Sequence, residues 1–144
     1  MSVQNYGNHK RYVFLFHVVL FLLLILTLIG SFVNFYESLG DHERMYSASL
    51  IAVLSVCLLM FFFFSRGFAL RAQDRAIRAE ENLRHFAHTG KLFDPKLTMS
   101  QIIALRFASD EELVGLAKKA VDENLTNDAI KRSVKNWRAD YHRA

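Results

Sequence analysis

Cysteine and proline are almost absent from this chain of 144 residues, which has one of each, and glycine occurs only six times. The single cysteine, Cys57, excludes an intrachain disulfide, and its place inside an apolar run predicts a packing role. Glycine-rich phosphate loops, zinc-type cysteine pairs and nucleophile motifs are also missing from the sequence. We therefore expect no enzymatic activity, no cofactor and no small-molecule substrate.

Charged side chains are missing from two long apolar runs, residues 12–36 and residues 45–65, which contain no Asp, Glu, Lys or Arg. About 20 helical residues, rising 1.5 Å each, cross the hydrocarbon core of a bilayer. The runs therefore predict two transmembrane helices that form a hairpin around the short loop 37–44. A secretory signal peptide is the alternative for the first run, because Lys10 and Arg11 precede it. Its length and the lack of a clear small-x-small cleavage site favour a retained helix.

Positive charge is distributed unevenly around the two runs. Residues 1–11 end in Lys10 and Arg11, whereas loop 37–44 carries three acidic residues and a single arginine, Arg44. The second run is followed by four arginines: Arg66, Arg71, Arg75 and Arg78. Because Lys and Arg collect on cytoplasmic flanks, we expect both termini in the cytoplasm and the loop outside.

Small residues in the two runs predict where the helices of the hairpin pack, because lipid provides no hydrophobic drive for helices to associate. They form one strip in each run: Thr27, Gly30 and Ser31 in the first, and Ala48, Ala52 and Ser55 in the second. The alternative is that such residues are simply common. Elsewhere the second run offers an apolar surface for lipid or for a partner's transmembrane helix: Phe61, Phe62, Phe63 and Phe64.

The remaining sequence predicts an all-α fold, since it carries no strand pattern. We expect the second helix to continue into the cytoplasm through residues 66–88, a linker over 89–97 and a small helical domain over 98–144. Three short helices are predicted in this domain, near residues 99–107, 110–124 and 127–141. Their predicted starts are two capping boxes and one capping threonine: Thr98 with Gln101, Ser109 with Glu112, and Thr126.

A heptad-like pattern follows the second run, with small or apolar residues at alternating spacings of three and four: Ala69, Ala72, Ala76, Ala79, Leu83 and Phe86. Such spacing indicates a helix packed along another helix, and alanine permits a close approach. Two interpretations are open. The pattern is either a surface for a partner, flanked by Arg71, Arg75 and Arg78, or the buried face of a compact domain.

The last predicted helix is amphipathic and basic. Its apolar face consists of Ile130, Val134, Trp137 and Tyr141, and its basic stripe consists of Lys131, Lys135, Arg138 and His142. One interpretation is that Lys131, Lys135, Trp137 and Arg138 bind anionic lipid. The other is that the apolar face closes the three-helix core. Residues 91–144 carry ten basic against eight acidic side chains, which is too little excess charge to favour nucleic-acid binding.

Three side chains at helical spacing, Glu81, His85 and His88, are a candidate metal site. A solvated helix face explains the same spacing, and we predict no metal. His17 lies within the first run, but the second run offers no histidine as a second axial ligand, which argues against a haem.

Four segments resemble an uncharacterised bacterial family of small two-span membrane proteins, a domain of unknown function. These are YSAS at 46–49, LRAQDRAIRAEENLR at 70–84, QIIALRFASD at 101–110 and KNWR at 135–138. The resemblance implies a bacterial inner-membrane setting and brings no catalytic activity that could be transferred to this chain. Our functional hypothesis is a non-catalytic accessory or scaffold subunit of a larger membrane protein assembly. The alternative is a self-associating membrane organiser whose basic C-terminal helix binds anionic lipid.

Overall fold

The computed structural model describes residues 4–8 and 12–140, and the regular secondary structure within them is helical. A π-helical turn, Leu15–Leu20, leads into helix α1, Phe21–Glu37, and helix α2 extends from His42 to Thr89 without interruption. Three shorter helices follow: α3, Met99–Leu105; α4, Asp110–Asp122; and α5, Asn127–Ser133. The all-α prediction is confirmed. Four residues used in the predictions above lie outside the described ranges: Lys10, Arg11, Tyr141 and His142.

Two of these helices, Leu15–Glu37 and His42–Thr89, are long and apolar enough to cross a membrane. The chain divides into two compact units. We name residues 12–69 the apolar unit, and residues 4–8 together with 70–140 the polar unit. Helix α2 contributes its first part to the apolar unit and its last part to the polar unit.

Small residues lie at the contact between the helices of the apolar unit. The hydroxyls of Ser31 and Ser55 are 2.8 Å apart, and Ala48 and Ala52 are buried. Thr27 is exposed, and its hydroxyl donates to the carbonyl of Leu23 in its own helix. The predicted strip of α2 is thus buried, whereas Ser31 is the buried member of the strip in α1.

The polar unit has a core formed by α3, α4 and α5 with the segment that precedes them. Its most completely buried large side chains are Phe107, Ile102, Leu105, Leu113 and Ile130. Phe93 and Leu97, from the predicted linker, are buried in the same core. The segment that we expected to be a connection therefore packs as part of the unit.

Two of the three predicted helix starts have the expected caps. The hydroxyl of Thr98 accepts from the amide of Gln101, whose side chain accepts from the Thr98 amide in return. Thr126 accepts from the amide of Ala129. The second predicted capping box is wrong, because Ser109 makes no capping hydrogen bond. The carboxylate of its expected partner, Glu112, accepts instead from the backbone amides of residues 135 and 136.

The predicted helix over residues 127–141 is wrong beyond Ser133. Val134 has an extended backbone, and an antiparallel bridge joins Trp137 to Ala108. The amide of Arg138 donates to the carbonyl of Phe107 over 2.8 Å. The backbone groups that would have continued the helix are therefore bonded to α4 and to the segment before it. Local sequence periodicity carries no information about such distant partners.

Candidate interaction surfaces

A cluster of charged side chains joins the C-terminal part of α2 to the rest of the polar unit. Glu81 is 4% exposed, and its two carboxylate oxygens accept from Arg84 over 2.9 Å and from Arg138 over 3.2 Å. Arg84 also donates to Asp110 over 2.6 Å and to the carbonyl of Ala108 over 2.7 Å. All three guanidinium nitrogens of Arg84 are thereby engaged. The cluster fixes α2 to the start of α4 and to the C-terminal segment.

Asp110 is, like Arg138, an exposed member of this cluster, and it begins α4. The hydrogen bond and the positive charge of Arg84 lower the pKa of Asp110, and His88, 3.5 Å away, acts in the same direction. A carboxylate at a helix N-terminus is also favoured by the helix dipole. Asp110 therefore remains ionised at any physiological pH, as a structural anchor.

The candidate metal ligands Glu81, His85 and His88 do not come together. Glu81 is held by its two arginines, and the Nδ1 atom of His85 lies 2.8 Å from the carbonyl oxygen of Lys91, with its ring against Phe93. His88 faces Asp110. Within the described part of the chain, no group of three or more His, Cys, Asp or Glu side chains is placed to hold a metal ion.

His17 lies close to the start of its helix, in the π-helical turn. Its Nδ1 atom is 2.8 Å from the carbonyl oxygen of Val13, and its ring stacks on Tyr12 at 4.8 Å. One ring nitrogen is therefore engaged with the local backbone, and the ring packs on its neighbour.

The heptad-like pattern lies on an exposed face of α2. All six of its members are exposed, and Leu83 and Phe86 show 68% and 48% of their surface. The buried residues of this stretch, Ile77 and Glu81, lie on the other side of the helix. The pattern is therefore not the buried face of the polar unit, and the interpretation as a surface for a partner remains. The flanking Arg71, Arg75 and Arg78 are exposed as well.

The four consecutive phenylalanines, residues 61–64, do not form a single exposed surface. Phe62 is buried, and its ring packs on Phe16 at 4.6 Å and on Phe21 at 5.8 Å. The other three members, Phe61, Phe63 and Phe64, are more than half exposed. Phe62 thus contributes to packing within the apolar unit, and the other three offer the surface that we predicted for lipid or a partner.

The four residues predicted to bind lipid are not on one helix. Lys131 lies in α5, whereas Lys135, Trp137 and Arg138 follow its end. Trp137 packs on Phe107 at 4.7 Å and lies against the core, and Arg138 pairs with Glu81. The apolar face of the predicted helix does close the core, with Ile130 and Val134 buried, although Val134 is extended. Lipid binding by these residues stays a prediction.

The N-terminal segment makes contacts that sequence reasoning missed. The side chain of Gln4 exchanges two hydrogen bonds with the backbone of Asp140, of 3.2 and 2.8 Å. The hydroxyl of Tyr6 donates to Asp128 and accepts from Arg132, whose guanidinium lies 5.1 Å from the Tyr6 ring centre. We name these contacts the N-terminal clasp. A Gln and a Tyr in a short polar segment gave no signal of it.

An open groove of about 570 Å³ lies between the end of α2, the segment after it and α4. Most of its exposed lining is apolar, from Leu92, Phe93 and Val114 among others. His85, on its wall, is the side chain whose Nδ1 atom faces the Lys91 carbonyl.

A family model described as "Family of unknown function (DUF6526)" matches residues 1–144. No curated protein and no solved structure matches the chain.

Proposed function

Because the chain belongs to the family of unknown function DUF6526, we infer its role from the surfaces of its own structure. We propose that it is a two-span integral membrane protein that acts as a non-catalytic scaffold or accessory subunit of a larger membrane protein assembly. In this proposal the apolar unit is a transmembrane hairpin in a bacterial inner membrane. The polar unit lies in the cytoplasm with both termini.

The observation that carries the proposal is the N-terminal clasp. Gln4 and Tyr6 precede the first apolar helix, whereas Asp128, Arg132 and Asp140 follow the second, and yet they are in hydrogen-bond contact. Both ends of the apolar unit must then face the same side of the membrane, which requires an even number of crossings. Two spans satisfy this requirement. The arginines after the second span support the cytoplasm as that side, because Lys and Arg collect on cytoplasmic flanks.

A scaffold role is supported by the ion pairs of the polar unit, in which charged side chains hold segments of the chain together. Glu81 is engaged by two arginines, and Asp110 by Arg84. Each of these groups fixes one segment of the chain to another. The exposed apolar surfaces, by contrast, include the face of α2 that carries the heptad-like pattern and the aromatic patch of Phe61, Phe63 and Phe64, both of which suit contact with other helices.

Cysteine labelling tests the topology. In a Cys57→Ser background, we expect Asp41→Cys, in the loop between the spans, to react with a membrane-impermeant maleimide added outside intact cells. Lys118→Cys, on the exposed side of α4, should react only after the membrane is opened. Labelling of both positions from outside, or of Lys118→Cys alone, would exclude the proposed orientation.

Native electrophoresis of detergent-solubilised membranes, at natural abundance, tests the assembly role. We expect a complex much larger than the chain's 16.6 kDa or its dimer. Combined Phe61→Leu, Phe63→Leu and Phe64→Leu substitutions keep the apolar character and should shift the protein to a smaller species. The matched control is Leu22→Ile, Leu23→Ile and Leu26→Ile, on exposed residues of α1. A wild-type protein that migrates only as a monomer or dimer would contradict an accessory role.

A further inference from the structure

The exposed face of α2 in the polar unit has the register of one strand of a coiled coil. Its members are Ala72, Ala76, Ala79, Leu83 and Phe86, which we name the seam. Their spacings of four, three, four and three place them at alternating d and a positions of a heptad. All five are exposed, so the polar unit leaves unpaired the positions that a coiled coil buries.

The polar unit packs on the opposite side of the same helix. Ile77 and Glu81, which are 6% and 4% exposed, each lie two residues from Ala79. At 3.6 residues per turn, two residues correspond to about 160° around the helix axis. The seam is therefore accessible along its length to a second helix without any rearrangement of the unit's own core.

We propose that the occupant of the seam is the seam of a second copy of this chain, in a parallel, two-fold symmetric pair. This proposal rests on the proposed function, because two copies inserted with the same topology project α2 from the membrane in the same direction. A parallel arrangement is then the one available to the pair. With a two-fold axis along the seam, the same residues of both copies contact each other, as in most homodimers.

The charges beside the seam match a parallel pair. The flanking g and e positions between residues 72 and 87 are occupied by Gln73, Arg75, Glu80, Asn82 and Ala87. In a parallel coiled coil a g residue faces the e residue five positions further along on the partner. Arg75 then faces Glu80 of the partner copy, and symmetry forms the same pair twice. These are the two charged residues among the five, so no like charges are opposed.

Within residues 4–8 and 12–140, neither Arg75 nor Glu80 forms an ion pair that would compete with pairing to a second copy. Both Arg75 and Glu80 are exposed. Arg84, which is four residues from Glu80 and therefore within reach of it on the helix surface, is instead bound to Glu81, Asp110 and the Ala108 carbonyl. The Asn82 side chain accepts from the amide of Phe93, within its own unit.

The seam is about two heptads long, which is short for an isolated coiled coil. Membrane anchoring of both chains compensates for the small number of contacts. Anchoring both chains in one bilayer raises their effective concentration and removes most of the orientational cost of pairing. Ala72, Ala76 and Ala79 allow the two helices to approach closely in the part of the seam that is nearer the membrane. Farther from the membrane, Leu83 and Phe86 fill the space between the helices.

Disulfide cross-linking in native membranes tests the pair. In the Cys57→Ser background, we expect mild oxidation to convert Ala76→Cys into a covalent dimer that a reducing agent separates. The control, Arg78→Cys, is equally exposed but lies off the seam. We expect it to give at least several-fold less dimer. Equal cross-linking at both positions, no dimer at Ala76→Cys, or a product with another protein's mass would overturn the proposal.

A charge swap tests the register. Arg75→Glu and Glu80→Arg, introduced singly into the Ala76→Cys protein, should each reduce cross-linking several-fold because like charges then oppose each other. The double swap should restore it. Cross-linking that is insensitive to the single changes, or not restored by the double change, would overturn the parallel register. The Asp41→Cys labelling separates the two proposals: wild-type topology without a dimer refutes only the seam, and altered topology refutes the proposed function.

Discussion

At the scale of the residue, Glu81 shows which features can be predicted from the sequence and which cannot. Its spacing from His85 and His88 placed three polar side chains near one another on a helix, and that geometry suggested metal binding. The structure gives Glu81 a different role, because Arg138 reaches it from 57 positions further along the chain. No local pattern encodes a partner at that separation, whereas the helix that carries Glu81 is predictable from composition alone.

We predict that Glu81→Ala destabilises the polar unit by about 1–3 kcal/mol, because it removes the hydrogen-bond acceptor of a nearly buried donor. That donor is the Nη1 atom of Arg84, whose side chain is 10% exposed and keeps its bonds to Asp110 and to the Ala108 carbonyl. Chemical denaturation of the full chain in mild detergent measures the change. The control is Glu123→Ala at the exposed end of α4, which should alter stability by less than about 0.5 kcal/mol. Equal effects of the two changes would contradict this assignment.

At the scale of the element, the starts of helices were more predictable than their ends. Thr98 and Thr126 cap α3 and α5 as expected, since a cap depends on residues three positions apart. The end of α5 depends on Glu112, which binds the amides of residues 135 and 136 from 23 and 24 positions away. The exposed seam was recognised as a helix-packing pattern, but the sequence alone did not distinguish an outward face from a buried one.

We predict that Ala48→Phe disrupts packing in the apolar unit, because Ala48 is 1% exposed and a larger side chain there forces the helices apart. Overpacking of this kind costs about 1–3 kcal/mol. Unfolding in mixtures of mild detergent and dodecyl sulfate, followed by circular dichroism, measures it. Val53→Phe is the matched control, at a position of α2 that is 61% exposed. If the two variants unfold alike, Ala48 is not at a tight contact.

At the scale of the whole molecule, the carboxyl groups whose pKa is lowered by hydrogen bonds to Arg84 or Tyr6 lie in one of the two units. The hydrogen bond from Arg84 lowers the pKa of Asp110, and the hydrogen bond from Tyr6 lowers the pKa of Asp128. Both side chains lie in the polar unit, whereas residues 12–36 and 45–65 contain no Asp or Glu. A carboxyl group whose pKa is lower in the folded state stabilises the fold above its ordinary pKa, and this stabilisation disappears as the pH falls through the lower value.

We therefore predict that acidification below about pH 4, the ordinary pKa of an aspartate, loosens the polar unit before the apolar unit. Hydrogen exchange of the full chain in detergent at pH 3 and pH 7, corrected for the intrinsic rate, should show the loss in α4 and α5. Asp110→Asn should reduce the pH dependence in α4, while the hydroxyl-deleting Tyr6→Phe should reduce it in α5. Uniform loosening of both units would contradict the prediction.

The N-terminal clasp also constrains the order of events while the protein is being made. Gln4 and Asp140 are 136 positions apart, and the whole apolar unit lies between them in the chain. A ribosome therefore releases the first half of the clasp long before it produces the second, and both helices of the apolar unit are synthesised in the interval. The N-terminal clasp can therefore close only after residues up to Asp140 have been synthesised, when the apolar unit is already made.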